Sequence, residues 1–98
     1  MKPIRFHPEA EAAMISAAVF YETKQKDLGK RFLISVQNAL NKIQVNPLLY
    51  QEIDDGVRRC LTMTFPFGVV FRIMPEQYVI IAVMHLHRAP GYWKSRVP

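Results

Sequence analysis

The chain has 98 residues, of which 50% are hydrophobic and 21% charged, with a net charge of +5. Those values exclude a disordered tail and a multidomain enzyme carrying its own cofactor domain, and they fit one domain spanning residues 1–98 that buries roughly two-thirds of its unfolded surface. A single cysteine, Cys60, precludes an internal disulfide, and the expected setting is reducing and cytoplasmic. The longest aliphatic run, Val79 to Met84, is far short of the roughly 20 residues a membrane helix needs, and Met1 to His7 does not read as a secretory leader.

Charge divides unevenly along the chain. Residues 1–55 carry seven basic and seven acidic side chains; residues 56–98 carry six basic and one acidic, so the whole net charge of +5 lies in the second half. A one-sided basic surface points to an anionic partner, nucleic acid or an acidic protein segment, or else serves solubility alone.

Residues 2–7 read as a short strand with Ile4 and Phe6 on one face. Pro8 and the acids Glu9 and Glu11 then suit the first turn of a helix, where proline lacks no needed donor and carboxylates meet the positive dipole end. Ala10, Met14, Ala17 and Tyr21 recur at helical spacing, widened by Ala13, Ala18 and Val19, so the first helix is predicted over Pro8 to about Lys26. After a break at Asp27-Leu28-Gly29, Phe32, Leu33, Val36, Ala39, Leu40 and Ile43 form the stripe of a second helix that Asn46-Pro47 ends. The short break implies an antiparallel helical hairpin. Ile34 and Val45 fall off the stripe and are candidate anchors for a partner.

Residues 47–56 read as a loop. Three strands follow, Val57 to Phe65, Phe67 to Met74 and Tyr78 to His87, joined by short connections as an antiparallel meander. The last is apolar on both faces and is expected at the centre of the sheet. Alternation puts Arg58, Cys60, Thr62 and Thr64 on one side of the first of these strands and Arg59, Leu61, Met63 and Phe65 on the other. With one face under the hairpin, the other is expected to stay partly open and to display Arg58 and Arg72. Arg88 to Pro98 reads as a tail or short turn. The predicted fold is α+β: β-α-α-β-β-β, a four-stranded, mainly antiparallel sheet with the hairpin on one face and the first strand beside the meander.

His85 and His87, two apart, share a side near the strand end, with Arg88, Tyr92, Trp93 and Lys94 directly after them. Imidazoles suit proton transfer, arginines suit phosphate charge, and Tyr92 or Trp93 suits stacking on a base, as RNA cleavage by the 2′-hydroxyl requires. Histidines at a strand end are equally common as structural groups. A zinc site lacks further ligands in the sequence, Cys60 lacks a neighbouring base and reads as a packed thiol, and no glycine-rich phosphate loop is present. No metal or cofactor is expected.

The ordered pieces carry a resemblance. Phe6-His7-Pro8-Glu9-Ala10-Glu11, Gly29-Lys30-Arg31-Phe32, Asn46-Pro47-Leu48-Leu49-Tyr50, Val57-Arg58-Arg59, Phe65-Pro66-Phe67 with Val70-Phe71-Arg72, and His85-Leu86-His87-Arg88 with Pro90, Tyr92 and Trp93 span nearly the whole chain. Together they resemble the RelE/ParE superfamily of bacterial type II toxin–antitoxin toxins, on the ParE-like, plasmid-stabilisation side. The resemblance implies a growth inhibitor held by a cognate antitoxin in a hetero-oligomer, with DNA gyrase as target and no chemistry of its own. The alternative it implies is a RelE-like, metal-independent endoribonuclease acting on mRNA at the ribosome, with His85, His87 and Arg88 as its catalytic set. The ribonuclease match is partial: Gly68 stands where those enzymes carry an arginine, Trp93 where they carry a tyrosine, and Arg58 and Arg59 replace lysines. Arg58, Arg59, Arg72, Tyr92, Trp93 and Lys94 are the candidate target or phosphate contacts, and Ile34, Val45, Arg58 and Arg72 the candidate antitoxin contacts. A basic nucleic-acid-binding module is the third reading, and no membrane partner is expected.

Overall fold

A computed structural model describes residues 2–98. Strand β1 (Ile4–Phe6) leads into helix α1 (Pro8–Lys24), followed by helix α2 (Leu28–Val45), a 3-10 turn (Pro47–Leu49), and strands β2 (Glu52–Asp54), β3 (Val57–Leu61), β4 (Phe67–Ile73) and β5 (Tyr78–His85). A second 3-10 turn, Lys94–Arg96, lies near the end of the chain. No helix among the described residues is long and apolar enough to cross a membrane.

The two helices start where local chemistry allows. His7 caps α1, its Nδ1 accepting from the Glu9 amide at 3.1 Å, with Pro8 directly behind it. Glu22 performs the equivalent service for α2 from outside it: its carboxylate oxygens accept from the amides of Asp27 at 2.9 Å and Gly29 at 3.1 Å. Gly29 is needed because a β-carbon there would collide with the Ala18 carbonyl oxygen, so the hairpin closes backbone to backbone at this point.

The sheet has five strands in the order β1-β5-β4-β3-β2, not the expected four. The additional strand lies inside the stretch read as a loop. Asp55-Gly56 makes a two-residue turn, Gly56 takes φ of 71°, and β2 folds back on β3 with Glu52 opposite Arg58. An Asp-Gly pair between Ile53 and Val57 is a hairpin signal, but three residues are too few to show an alternating pattern. β1 pairs with β5 in parallel, with Ile4, Arg5 and Phe6 beside Tyr78, Val79 and Ile80, while the other three pairings are antiparallel. The sheet is therefore mixed; β5 is flanked on both sides, as its apolar composition implies, but stands second from the edge, and β4 takes the centre expected for it.

β3 stops at Leu61, short of the expected Phe65. Thr64 takes φ of 74°, and the Thr62 hydroxyl donates to the Phe65 carbonyl at 2.9 Å, so the chain turns there. The turn swings Phe65 to the helix side, where its ring meets Tyr21 and Phe32. The strict alternation that put Phe65 opposite Cys60 fails for this reason. β5 likewise ends at His85 and leaves His87 in a turn.

Each sheet face has its own core. Under the helices lie Phe32, Val36, Ala39, Ile43, Cys60, Phe67, Val69, Phe71, Ile80 and Val83. On the other face lie Val57, Val70, Val79, Ile81, Ala82, Met84 and Trp93, with Ile53, Met74, Tyr92 and Val97 packed around them. The second face is thus covered by the C-terminal segment, not open. A register shift at Val70/Phe71 lets Ile81 and Ala82 both join that face, resetting the alternation along β5.

Candidate functional site

Register decides which arginines share a face. Arg58 stands opposite Phe71 and Val57 opposite Arg72. Phe71 and Cys60 belong to the helix-side core and Val57 and Val70 to the other, so Arg58 faces the helices while Arg59 and Arg72 face the C-terminal segment. The expected display of Arg58 and Arg72 on one open face is corrected on both counts. Arg58 Nη1 donates to the Tyr50 carbonyl at 2.8 Å, and Arg72 Nη1 to the Pro98 carbonyl at 3.1 Å. These bonds tie down the loop before β2 and the chain end respectively.

The C-terminal segment is held by one buried ring and a guanidinium clasp. Trp93 is 3% exposed, so it forms the second core and is not available to stack on a base. Tyr92 meets two cations, with the Arg88 guanidinium 3.9 Å and that of Arg96 5.1 Å from its ring centre. Arg96 also donates to the Ile81 carbonyl at 3.1 Å and pairs with Glu9 at 3.5 Å. Lys94 is exposed and loosely paired with Asp54 at 3.9 Å.

The imidazoles do come together. The His85 and His87 rings are 5.1 Å apart, and His85 packs edge-on against Phe67 at 5.4 Å. The His85 Nδ1 accepts from the His87 amide at 3.1 Å, which in the neutral ring leaves the proton on Nε2. A neutral His85 would then present Nε2–H as a hydrogen-bond donor, and the His87 ring is exposed. His85 and Arg88 line one end of a groove of about 410 Å³ against α1, floored by Ala13, Ser16 and Ala17 and flanked by Phe20 and Tyr21. His85 and Arg88 thus meet at this groove, with the His87 ring beside His85 but outside the groove's lining. Phe20 and Ser16 escaped the sequence reading; Phe20 lies off the α1 stripe and is 55% exposed.

A different surface runs along α2. Ile34 is 51% and Val45 78% exposed, so both candidate anchors are open. Leu48, Leu49, Leu61 and Met63 are also exposed. Ile34, Met63 and Phe65 line a hollow of about 360 Å³ with Arg31 at its rim, and Val45, Leu49 and Tyr50 line another with Lys42. Val19 and Leu33, read as parts of the buried stripes, instead lie outside with Ile15 in a shallow apolar groove between the helices. The helices cross closely at Gly29 and Ala18, so only their inner edges reach the sheet.

Behind the α2 surface lies Cys60, 1% exposed, near Tyr50. Burial pushes its thiol up from the ordinary value, against smaller lowering influences from the Tyr50 hydroxyl and the Lys42 charge. Tyr50 is raised by burial and by Cys60. A protonated, enclosed thiol is a packing group and not a nucleophile.

Two helices packed on one face of a mixed five-stranded sheet, with a strapped second face, define an α+β class whose open features are the α2 surface and the imidazole groove. The same fold occurs in a chain of the chromosomal ParDE TA system from P. aeruginosa, with a TM-score of 0.63 at 16% identity, covering 87% of this chain and 96% of that one. No protein-family model and no curated protein matches the sequence. The fold expected from the ParE-like resemblance is present, with the strand count corrected.

Proposed function

We propose that this chain is the toxin of a type II toxin–antitoxin system, a cytoplasmic bacterial growth inhibitor that acts by binding DNA gyrase and is neutralised by a cognate antitoxin. The observation that carries the reading is the fold it shares, over 87% of its length, with a chain of a ParDE toxin–antitoxin system. The antitoxin's place on this reading is the α2 surface. Ile34, Val45 and Leu49 offer apolar anchors, and Arg31, Lys42 and Arg58 lie along the same side of the molecule. An amphipathic acidic helix fits that chemistry: apolar anchors set the lifetime of a complex and charge the rate of its formation. Arg72 lies on the opposite sheet face, so its part in neutralisation requires a segment that wraps around an edge.

The test is inducible expression with separate readouts of DNA and protein synthesis, followed by purified protein with gyrase and supercoiled DNA. Arrest of replication with inhibited supercoiling is the expected result. Unchanged supercoiling at micromolar protein sinks the gyrase assignment. Ile34→Asp is expected to speed dissociation of the antitoxin, and Arg58→Glu to slow its association.

The convergence of His85, His87 and Arg88 favours a second reading, the ribosome-dependent endoribonuclease. There one of His85 and His87 would take the proton of the attacking 2′-hydroxyl as a neutral ring, the other would give a proton to the leaving oxygen as an imidazolium, and Arg88 would offset phosphate charge. Acid–base groups contribute about 10²–10⁴ in rate, so His87→Ala would abolish most cleavage. Primer extension on translated mRNA without cuts removes this reading.

A further inference from the structure

The second face holds a further pocket, which shares only Met84 with the imidazole groove. Its volume is about 320 Å³, and Ile53, Met84, Trp93 and Pro90 give it apolar walls. Arg59, Lys94 and Asp54 supply its charge. This size and balance suit a small apolar body with one polar anchor point.

Arg59 is held in an unusual way. Its aliphatic stem lies across Gly68 of the neighbouring strand, so close that a β-carbon there would stand 2.8 Å from Cδ and 3.0 Å from Cγ. Gly68 in turn pairs with Met84 of β5, so the stem lies across the strand that leads to the pocket's far wall. Arg58, Arg72 and Arg96 each donate to a carbonyl, and Arg88 stacks on Tyr92. Among the described residues, the Arg59 guanidinium has no such bond and no ion pair. A pinned stem with an unengaged fork is preorganised to receive an oxyanion, because little rotamer freedom is left to lose on binding.

We propose that this pocket binds an organic carboxylate, with the acid on Arg59 and its apolar body against Ile53 and Pro90, beside the largely buried Met84 and Trp93. Two cations and one carboxylate leave the pocket a single net positive charge, which matches a monoanion better than a phosphate dianion. Lys94 and Asp54, 3.9 Å apart and exposed, form a loose pair at the rim that can part to admit the ligand. The carboxylate can belong to a free small acid or to the terminus of a partner chain ending in an apolar residue.

Trp93 is the only tryptophan, so its fluorescence reports directly on the pocket. Titration of the full chain with 3-phenylpropionate is expected to give a saturable change with a dissociation constant on the order of 1 mM. Arg59→Met should weaken it roughly tenfold or more, and Arg59→Lys by less, since a point charge replaces a fork. Gly68→Ala should also weaken it by displacing the Arg59 stem, while Arg5→Met, exposed on β1 and outside the pocket's lining, should leave it unchanged. Far-UV circular dichroism identifies any variant that has lost its fold. The proposal is overturned by no saturable change through the millimolar range, by equal binding of 3-phenylpropanamide or inorganic phosphate, or by a folded Arg59→Met that binds like the parent. Tighter binding of acetyl-Ala-Ala-Phe with a free terminus assigns the acid to a chain end, and weaker binding assigns it to a small molecule; both outcomes support the pocket.

Discussion

The two faces of the sheet are covered in different ways. The helix side is closed by two long helices whose aromatic rings interlock with those of the sheet and its turn, with Phe32 lying 4.8 Å from Phe67 and 5.3 Å from both Tyr21 and Phe65. The other side is closed by a short C-terminal segment with one 3-10 turn, held by a single buried tryptophan and by Arg72 and Arg96 bonds to main-chain carbonyls. Regular structure carries its own hydrogen bonds and fails only cooperatively. A strap that relies on a few side chains can open locally while the rest stays folded.

Removing the central ring on the helix side tests this contrast most severely. Phe32 is fully buried, and Phe32→Ala is expected to cost about 3–5 kcal/mol in urea-induced unfolding, with one cooperative transition. Trp93→Ala removes a larger ring, yet its loss is limited by the stability of the strap alone. We expect about 2–3 kcal/mol and, by hydrogen exchange, loss of protection confined to the chain after His85. A global loss as large as that of Phe32→Ala would make the two faces one cooperative unit and remove the distinction.

Gly29→Ala probes how the helix side is closed. The added methyl collides with the Ala18 carbonyl and presses on Glu22, the residue that caps α2. Overpacking costs about 1–3 kcal/mol and better helix propensity returns nearly 1, so a net loss of about 1 kcal/mol in chemical denaturation is expected. A stabilised variant would mean that the hairpin can separate at that crossing without penalty.

The same contrast accounts for what the sequence reveals. The helical hairpin was legible because Phe32, Val36, Ala39 and Ile43 repeat over several turns and must all meet one surface. β4 and β5 were legible from their composition. β2 was not, since Glu52-Ile53-Asp54 has no repeat and gains its status only by pairing with β3. The face of Arg58 could not be read from alternation: Val57 and Cys60 are both apolar, and each is buried, on opposite sides of one strand. Alternation separates two sets of residues, but only tertiary packing decides which set lies under the helices. Of the candidate site, His85, His87 and Arg88 were legible as neighbours in sequence. Trp93 was misread because an aromatic residue in a basic tail serves equally to stack on a ligand or to anchor the tail. Arg59 acquires its distinct position from Gly68, a relation across strands that no local pattern carries.

The smallest expected effect concerns the thiol beneath α2. Burial holds Cys60 above the ordinary value, outweighing the lowering by Tyr50 and Lys42, so the fold favours the neutral thiol. A group raised in the folded state contributes stability that is fully present below the unfolded value. That contribution is lost as pH climbs through the folded one. Tyr50 is raised in the same direction, so the alkaline limb belongs to the pair. The difference in denaturation midpoint between the parent and Cys60→Ala should therefore be constant near neutral pH and shrink as pH rises beyond about 9. No comparable alkaline change should accompany Trp93→Ala, whose face holds no cysteine. Should the Cys60→Ala difference stay constant through the alkaline range, the thiol ionises without strain, and the helix side is more open to water than its packing indicates.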